Sequence, residues 1–254
     1  MSDTELSKFL VIAKEAASQA GEYLLKNRAS AQKIKKEYER DIKIEADTQS
    51  EKLIIDSLRK KSNLSILSEE RGMIERGDGD YIWVVDPVDG SLNYSRQIPL
   101  SCISIGLWRG KESKIGVVYD FNRSELFSGI SSVGAWLNDV PINVSQTDTK
   151  QKSVLLTGFP SKRDFSTASI GHFIENIQSY RKVRLLGSAA LSIAYVAAGR
   201  ADAYYEENIM WWDVAGGIPL LLGAGGKLKI KKTSIPYCFD IAVTNGHISD
   251  ELLQ

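Results

Sequence analysis

The chain has 254 residues, which is enough for one large domain or two small, closely packed ones. Hydrophobic residues make up 43% of the chain and charged residues 25%, values typical of globular proteins that exclude disordered, collagen-like and membrane-spanning classes. The 32 basic and 32 acidic side chains cancel, so there is no basic field of the kind that drives nonspecific nucleic-acid binding, and no nucleic-acid partner is expected.

The first 140 residues are predicted to begin with two helices and to continue as a sheet. Apolar residues at helical spacing between Leu6 and Leu24 predict an amphipathic helix. A second helical pattern follows Asp47, which stands where an N-cap is expected. Short runs of β-forming residues then fill residues 64–130 between turn-forming connectors, and they predict a sheet with antiparallel parts.

After a turn at 138–141, strands and helices alternate, which predicts an α/β second half. Helices are expected near 164–179 and over 188–198, the latter ended by Gly199 as a C′ glycine. A strand over 201–207 leads to another helix that begins near Asp213. Because no repeat or linker is visible, we expect one compact unit of two subdomains with a ligand site at their interface, residues 1–140 and 141–254.

The cysteine content and the N-terminal segment bear on the compartment. Cys102 and Cys238 are too few for a disulfide framework, which favours a reducing environment. Residues 1–27 carry acidic side chains among the apolar ones and contain no long apolar run. They are therefore predicted to be neither a signal peptide nor a membrane span, and we expect a cytoplasmic protein.

The segment DPVDG is the first indication of chemistry. Asp86 ends an apolar strand, and ligand sites of α/β proteins gather at that end of a strand. The carboxylates of Asp86 and Asp89 and the carbonyl of Val88 can converge on one point, and oxygen donors of this kind suit Mg²⁺ better than zinc. The alternative is a turn with no ligand, since Asp-Pro and Asp-Gly pairs are common turn formers.

Other acidic residues stand at the borders of predicted elements. Glu69 and Glu70 follow a short strand, while Asp47 and Asp213 stand at helix starts. Taken singly, each is more simply a helix cap or a solvated acid. The chain has only two histidines, so a histidine metal cluster is not expected.

Taken together, these segments resemble the inositol monophosphatase family of Mg²⁺-dependent phosphatases, whose superfamily includes fructose-1,6-bisphosphatases and 3′-phosphoadenosine nucleotidases. The segments that carry the resemblance are DPVDGS at 86–91, WDVAGG at 212–217 and the upstream pair Glu69 and Glu70. The resemblance runs nearly the full length in motif order and spacing. It implies an α/β (α+β) fold class, in the form of a layered αβαβα sandwich.

The resemblance also implies roles for individual residues. The ligands of two or three Mg²⁺ ions would be Glu69, Asp86, the Val88 carbonyl, Asp89 and Asp213. The attacking water would be activated by Asp47 and Ser91, with Glu69 as a further catalytic group. Substrate contacts would come from Lys36, Gly90, Ser91, Gly187, Ser188, Ala189 and Glu206.

Two of the substrate positions have simpler alternatives. Glu206 is implied to accept hydrogen bonds from ring hydroxyls, but it can also be an exposed acid at a strand end. The segment Gly187, Ser188 and Ala189 is implied to contact substrate hydroxyls through its backbone, but it can also be a small-residue helix start packed against a sheet.

The chain departs from the family pattern at two positions. Ser91 stands where the family usually has threonine, and it keeps the hydroxyl. Ile44 stands where a threonine is frequent, three residues before Asp47, so one hydrogen bond to the acid is lost. Water activation is therefore expected to be weaker or arranged differently.

The resemblance therefore implies a Mg²⁺-dependent phosphomonoesterase that acts on a small phosphorylated metabolite, a polyol or sugar phosphate, with inositol monophosphate as the leading substrate. Fructose-1,6-bisphosphate comes next, with Lys162, Arg163 and Arg184 available for a second phosphate. A 3′-phosphoadenosine 5′-phosphate nucleotidase ranks lower because Glu206 suits a polyol, and a catalytically silent binding protein is the alternative outside enzymes. The resemblance further implies lithium inhibition and a homodimer, for which the apolar segment 99–108 is a candidate surface.

Overall fold

The computed structural model describes residues 1–28, 34–37, 42–77, 79–159 and 164–248, with the side chains of 34–37, 42 and 43 outside the description. Its helices are α1 (Asp3–Lys26), α2 (Glu45–Lys61), α3 (Ser91–Ser95), α4 (Thr167–Ile177), α5 (Ala189–Ala197), α6 (Trp211–Ala215) and α7 (Gly217–Gly223). Its strands are β1 (Ile34–Glu37), β2 (Ile42–Ile44), β3 (Ser65–Ser68), β4 (Gly72–Ile74), β5 (Tyr81–Asp89), β6 (Cys102–Arg109), β7 (Glu112–Asp120), β8 (Glu125–Ile130), β9 (Gly134–Leu137), β10 (Val140–Ile142), β11 (Val154–Thr157), β12 (Lys182–Leu185), β13 (Ala203–Met210), β14 (Lys227–Lys232) and β15 (Cys238–Thr244).

In the described residues these strands form two large sheets and one small one. Sheet 1 has the order β10-β9-β8-β7-β6-β5-β3-β4, and its neighbours are antiparallel except for the parallel pair β3 and β5. Sheet 2 has the order β12-β11-β13-β15-β14, in which β11 runs parallel to both of its neighbours. β1 and β2 pair with each other. The sheet with antiparallel parts predicted for residues 64–130 is therefore confirmed.

The two large sheets and the helices form five layers. One core lies between α1 and α2 and one face of sheet 1, with Ala13, Leu24, Trp83, Ile105 and Val117 among its buried residues. A second core joins the other face of sheet 1, helices α5 to α7 and sheet 2. A third core packs α4 against the outer face of sheet 2. This is the expected αβαβα sandwich, and it results from strands whose alternate residues face opposite layers.

Local sequence signals account for the helix limits, with one correction. Ser2 and Glu5 form a reciprocal capping box that starts α1, and Gly199, with φ +68°, follows the C-terminus of α5 as predicted. The expectation that Asp47 is an N-cap is wrong. α2 begins at Glu45, and Asp47 is its third residue, where its carboxylate accepts the backbone N–H of Ile44 at 2.8 Å.

The apolar segment proposed as a dimer surface lies inside the sandwich. Residues 101–108 are buried, because β6 is a central strand of sheet 1 covered on both faces. That expectation is therefore wrong for this segment. The division at residue 140 stays a prediction. No helix in the described part of the chain is long and apolar enough to cross a membrane.

Candidate active site

The acidic motif lies where β5 leaves the ladder of sheet 1. Pairing between β5 and β6 shifts register between Asp86 and Asp89, so the two intervening residues are displaced from the regular ladder. Asp86 is 2% exposed and accepts the N–H of Val88 at 2.9 Å, while Asp89 is 8% exposed. Gly90 has φ +88°, and a Cβ there would lie 2.8 Å from the carbonyl oxygen of Leu100. Only glycine fits this turn without strain.

A hydroxyl and a carboxylate meet beside this turn. The Ser91 Oγ lies 2.8 Å from Asp47 Oδ1 and 2.9 Å from the carbonyl oxygen of Val88, so its single proton can be donated to either oxygen. The other oxygen of Asp47 accepts the N–H of Ile44. The backbone therefore supplies a hydrogen bond to Asp47 even though the Ile44 side chain cannot. Asp47 is thereby held on both oxygens.

Asp89 is fixed by the start of α5, which belongs to the second half of the chain. Its Oδ2 accepts a hydrogen bond from Ser188 Oγ at 2.6 Å and another from the N–H of Ala190 at 2.7 Å. Ser188 is also the N-cap of α5, where its oxygen accepts the N–H of Leu191. The side chain of Ser188 thus holds an acid, a role that sequence analysis did not assign to it.

Asp213 occupies the same local position in α6 that Asp47 occupies in α2. It is the third residue of its helix, and its Oδ2 accepts the N–H of Met210 at 3.1 Å. The two tryptophans before it begin a short helix, and a second short helix, α7, follows, where a single helix was expected. Glu69 directly follows β3, and its N–H bonds to the carbonyl of Val85 on the neighbouring strand.

The acids influence one another electrostatically. Burial raises the pKa of Asp86 well above its ordinary value, and the nearby carboxylates of Glu69, Asp89, Asp213 and Asp47 raise it further. Burial and the carboxylates of Glu69 and Asp89 likewise raise the pKa of Asp213. For Asp89, burial raises the pKa to about 6, although the bonds from Ser188 and Ala190 oppose the shift. A cluster of this kind binds protons or cations more readily than isolated acids do.

The donors fit a hard divalent cation in their chemistry. Every side-chain donor is a carboxylate, the one backbone donor is a carbonyl, and Mg²⁺ prefers oxygen ligands. In the described part of the chain, no three His, Cys, Asp or Glu side chains stand as a ready-made metal site. A bound cation would offset the mutual repulsion of these neighbouring carboxylates.

Glu206 lies on β13, which runs directly into α6. Its side chain is 8% exposed, and its Oε2 accepts a hydrogen bond from Tyr204 at 2.8 Å. The alternative of an exposed strand-end acid is thus wrong. Its charge also contributes to raising the pKa of Asp213, which indicates that the two carboxylates lie near each other.

The remaining sequence-predicted residues are placed as follows. Lys36 lies on β1, and its side chain is outside the described residues, as are Lys162 and Arg163 entirely. Arg184 is exposed on β12, an edge strand of sheet 2, where it bonds to the carbonyl of Val183. Gly187 has φ +69° and packs against the side-chain amide of Asn93.

Sequence reasoning missed the residues that support the acidic motif. Ser50 donates to the carbonyl of Pro87 at 2.8 Å, which ties α2 to the irregular end of β5. The buried Glu51 accepts from Ser68 and from Arg71, on either side of Glu69. A signal was present, since Ser50 follows Asp47 by three residues and so shares its helix face, but its partner could not be read from the sequence.

Known proteins match both the sequence and the fold. Residues 5–251 match the inositol monophosphatase family. Inositol-1-monophosphatase of Synechocystis is 37% identical over 259 residues, which cover 100% of this chain and 90% of that protein. Nus factor SuhB of Pasteurella multocida is 34% identical over 228 residues, which cover 87% of this chain and 84% of that protein. The structure of inositol monophosphatase from Anabaena has a TM-score of 0.81 at 38% identity, and the match covers 96% of this chain and 92% of that one.

The layered fold, the carboxylates at the end of β5 and these relatives define the class of protein, a phosphoric monoester hydrolase. The chain belongs to the inositol monophosphatase family. The family, the fold type and the enzyme class predicted from the motifs are therefore confirmed.

Proposed function

We propose that this chain hydrolyses inositol monophosphate in a Mg²⁺-dependent reaction that needs no covalent intermediate. The carrying observation is the contact of Ser91 with Asp47 and with the Val88 carbonyl, which joins a proton acceptor to the acidic motif. The full-length similarity to an inositol-1-monophosphatase supports the choice of substrate. It does not favour a fructose bisphosphatase, a nucleotidase or a silent binding protein.

The proposed cation ligands are Glu69, Asp86, the Val88 carbonyl, Asp89 and Asp213, for two or three Mg²⁺ ions. When bound, Mg²⁺ supplies Lewis-acid stabilisation of the charge that develops on the ester oxygens. The protein's part is to hold the donors at the right places. The bond from Ser188 to Asp89 does this across two halves of the chain.

Proton transfer from the attacking water is assigned to Asp47 and Ser91. When the Ser91 hydroxyl donates to Asp47 Oδ1, its lone pairs can accept a hydrogen bond from the attacking water. The proton can then pass through the hydroxyl to the carboxylate, which the Ile44 N–H keeps oriented. Glu69 is proposed as a further group near this water.

Substrate binding is assigned to two places. Lys36 and the backbone N–H groups of Gly90 and Ser91 are proposed to contact the phosphate. Glu206 is proposed to accept hydrogen bonds from ring hydroxyls, with the backbone of Gly187, Ser188 and Ala189 as a further contact region. The burial of Glu206 supports this, because a buried acceptor discriminates strongly against a substrate that lacks the matching hydroxyl.

The wider setting is also proposed by analogy with the family. We infer a cytoplasmic homodimer, inhibited by lithium, whose partner is a small phosphorylated metabolite. Some relatives of this chain carry the name Nus factor SuhB and not inositol monophosphatase. The balanced charge of this chain gives no support for direct binding to nucleic acid.

The test is a panel of phosphate esters assayed for phosphate release with Mg²⁺ and with EDTA. Inositol monophosphate should be the best substrate, ahead of fructose-1,6-bisphosphate and 3′-phosphoadenosine 5′-phosphate, and chelation should abolish its turnover. Isothermal titration on the same preparation separates binding from catalysis. Tight binding of inositol monophosphate without phosphate release would reject the proposal, as would preference for another ester.

A further inference from the structure

The sequence AYYEE in β13 places two tyrosines two residues before two glutamates. Side chains two apart on a strand face the same side of a sheet, so the segment forms two Tyr–Glu pairs on opposite faces. Tyr204 donates to Glu206 Oε2 at 2.8 Å on the inner face, and Tyr205 donates to Glu207 Oε1 at 2.6 Å on the outer face. The two pairs share one strand and one chemistry, but they face different surroundings.

The inner pair faces the acidic site. Tyr204 belongs to the core between the two sheets and is 0% exposed, whereas Tyr205 belongs to the core beneath α4. Burial raises the pKa of Tyr204 well above its ordinary value, and the carboxylates of Glu206, Asp89 and Asp213 raise it further. The phenol therefore keeps its proton and remains a hydrogen-bond donor to Glu206 throughout the ordinary pH range.

The backbone of Gly158 packs against the Glu206 carboxylate. A Cβ built on Gly158, the residue after β11, would lie 2.3 Å from Glu206 Oε2 and 2.7 Å from Oε1. β11 and β13 are neighbouring strands, so this contact is part of the sheet packing. A side chain at residue 158 would displace the carboxylate, because these distances are shorter than any ordinary contact and the carboxylate is the freely rotating end of its side chain.

Beyond Glu206, the strand leaves its regular pairing. The register between β13 and β15 shifts between Glu206 and Ile209, so the ladder no longer fixes the backbone just after the acid. The side-chain contacts of Glu206 therefore carry more of its positioning than they would in a regular strand.

We propose that Tyr204 and Gly158 are positioning residues that determine substrate specificity. They hold the Glu206 carboxylate where it accepts hydrogen bonds from the hydroxyl groups of the substrate. Tyr204 fixes Oε2 through its hydrogen bond, and Gly158 provides the space that the carboxylate occupies. This inference rests on the proposed function, because it presupposes a substrate whose hydroxyls Glu206 contacts. It adds the two residues on which discrimination between polyol and simple aryl phosphates depends.

The experiment measures kcat/KM for inositol monophosphate and for p-nitrophenyl phosphate on the full chain with saturating Mg²⁺. The variants are Tyr204→Phe and Gly158→Ala, with Tyr205→Phe as the matched control that removes the same bond on the outer face. We expect Tyr204→Phe to lower the ratio of the two kcat/KM values about tenfold, mainly through KM for inositol monophosphate, since a hydrogen bond to a charged group is worth about that factor. Gly158→Ala should lower the same ratio, because its Cβ would displace the carboxylate. Tyr205→Phe should leave the ratio at its wild-type value.

A double-variant cycle separates positioning from general structure. Tyr204→Phe added to Glu206→Ala should change the ratio no further, because the carboxylate that the phenol positions is already gone. Gly158→Ala perturbs the same carboxylate and leaves the buried phenol of Tyr204 unchanged. It therefore still tests the inference if thermal melting shows that Tyr204→Phe folds poorly.

Several results would overturn the inference. An unchanged ratio of the two kcat/KM values in Tyr204→Phe and Gly158→Ala would overturn it, as would equal losses of kcat/KM on both esters. A fall of this ratio in Tyr205→Phe as large as that in Tyr204→Phe would also overturn it. These results would leave the proposed function intact, because wild-type turnover of inositol monophosphate is measured in the same assay. A wild-type protein that hydrolyses neither ester would instead reject the proposed function, and this inference with it.

Discussion

Asp213→Asn distinguishes a metal ligand from a helix-capping residue more directly than any other substitution. Asp213 is the third residue of α6, and its Oδ2 accepts the Met210 N–H at 3.1 Å. Asparagine retains a carbonyl oxygen that can accept this bond, so the local cap should survive. What changes is the charge, which lies near Glu69 and Asp89.

The two roles lead to different magnitudes. If Asp213 binds Mg²⁺, loss of its charge should raise the activation barrier by about 4 kcal/mol, roughly a thousandfold loss of kcat. The metal-free protein should keep its stability to within about 1 kcal/mol, because a weakened hydrogen bond of about that size is offset by relief of repulsion. Burial and the neighbouring acids both raise the pKa of Asp213, and a neutral amide removes the same cost.

The assay combines turnover of inositol monophosphate at saturating Mg²⁺ with thermal melting in EDTA. Glu5→Gln is the matched control, since Glu5 is also the third residue of a helix, α1, and accepts the N–H of Ser2 at 2.7 Å far from the acids. The control should keep full turnover. Near-normal turnover of Asp213→Asn would refute its role as a ligand, and lost turnover with a collapsed apo melting temperature would assign it a folding role instead.

Chelation by EDTA should abolish turnover and excess Mg²⁺ should restore it, and full turnover in EDTA would contradict the oxygen ligand set. Ser91→Ala should lower kcat about a hundredfold or more, whereas Ser91→Thr should keep most of it, because only the hydroxyl relays the proton; equal rates for the two variants would oppose this role. Ser188→Ala should weaken Mg²⁺ binding, measured by titration calorimetry, about tenfold because Asp89 loses its 2.6 Å hydrogen bond, and unchanged affinity would contradict that support. Gly90→Ala should destabilise the protein by about 1–3 kcal/mol in a urea melt, because φ +88° and the nearby Leu100 carbonyl disfavour a Cβ; an unchanged midpoint would show that the turn adapts.

Much of the fold could be predicted because its signals are local. The helical spacing between Leu6 and Leu24 and the glycine after α5 each depend on a few consecutive residues, and both predictions were confirmed. The start of α2 was missed by three residues. An acid at the third position of a helix and an acid at its N-cap look alike in sequence, since both accept backbone N–H groups of the first turn.

Contacts between distant parts of the chain could not be read in this way. The bond from Ser188 to Asp89 joins residues 99 positions apart, and it gives a residue predicted to lie beside the substrate a second role as a support for an acid. The burial of residues 101–108 depends on helices packed over both faces of sheet 1, so their apolar pattern alone gave the wrong surface. The acidic residues of the site could be predicted from sequence motifs. The hydrogen bonds that hold them could not, because these bonds depend on tertiary packing.

The central claim is hydrolysis with water activated by Asp47 and Ser91. Its most direct test is phosphate release from inositol monophosphate across a Mg²⁺ titration, for the wild type and for Asp47→Asn. We predict saturable turnover in the wild type and a loss of at least about a hundredfold in the variant, with substrate affinity measured by calorimetry retained. Equal turnover of the two proteins, or wild-type binding of inositol monophosphate with no phosphate released at any Mg²⁺ concentration, would contradict it.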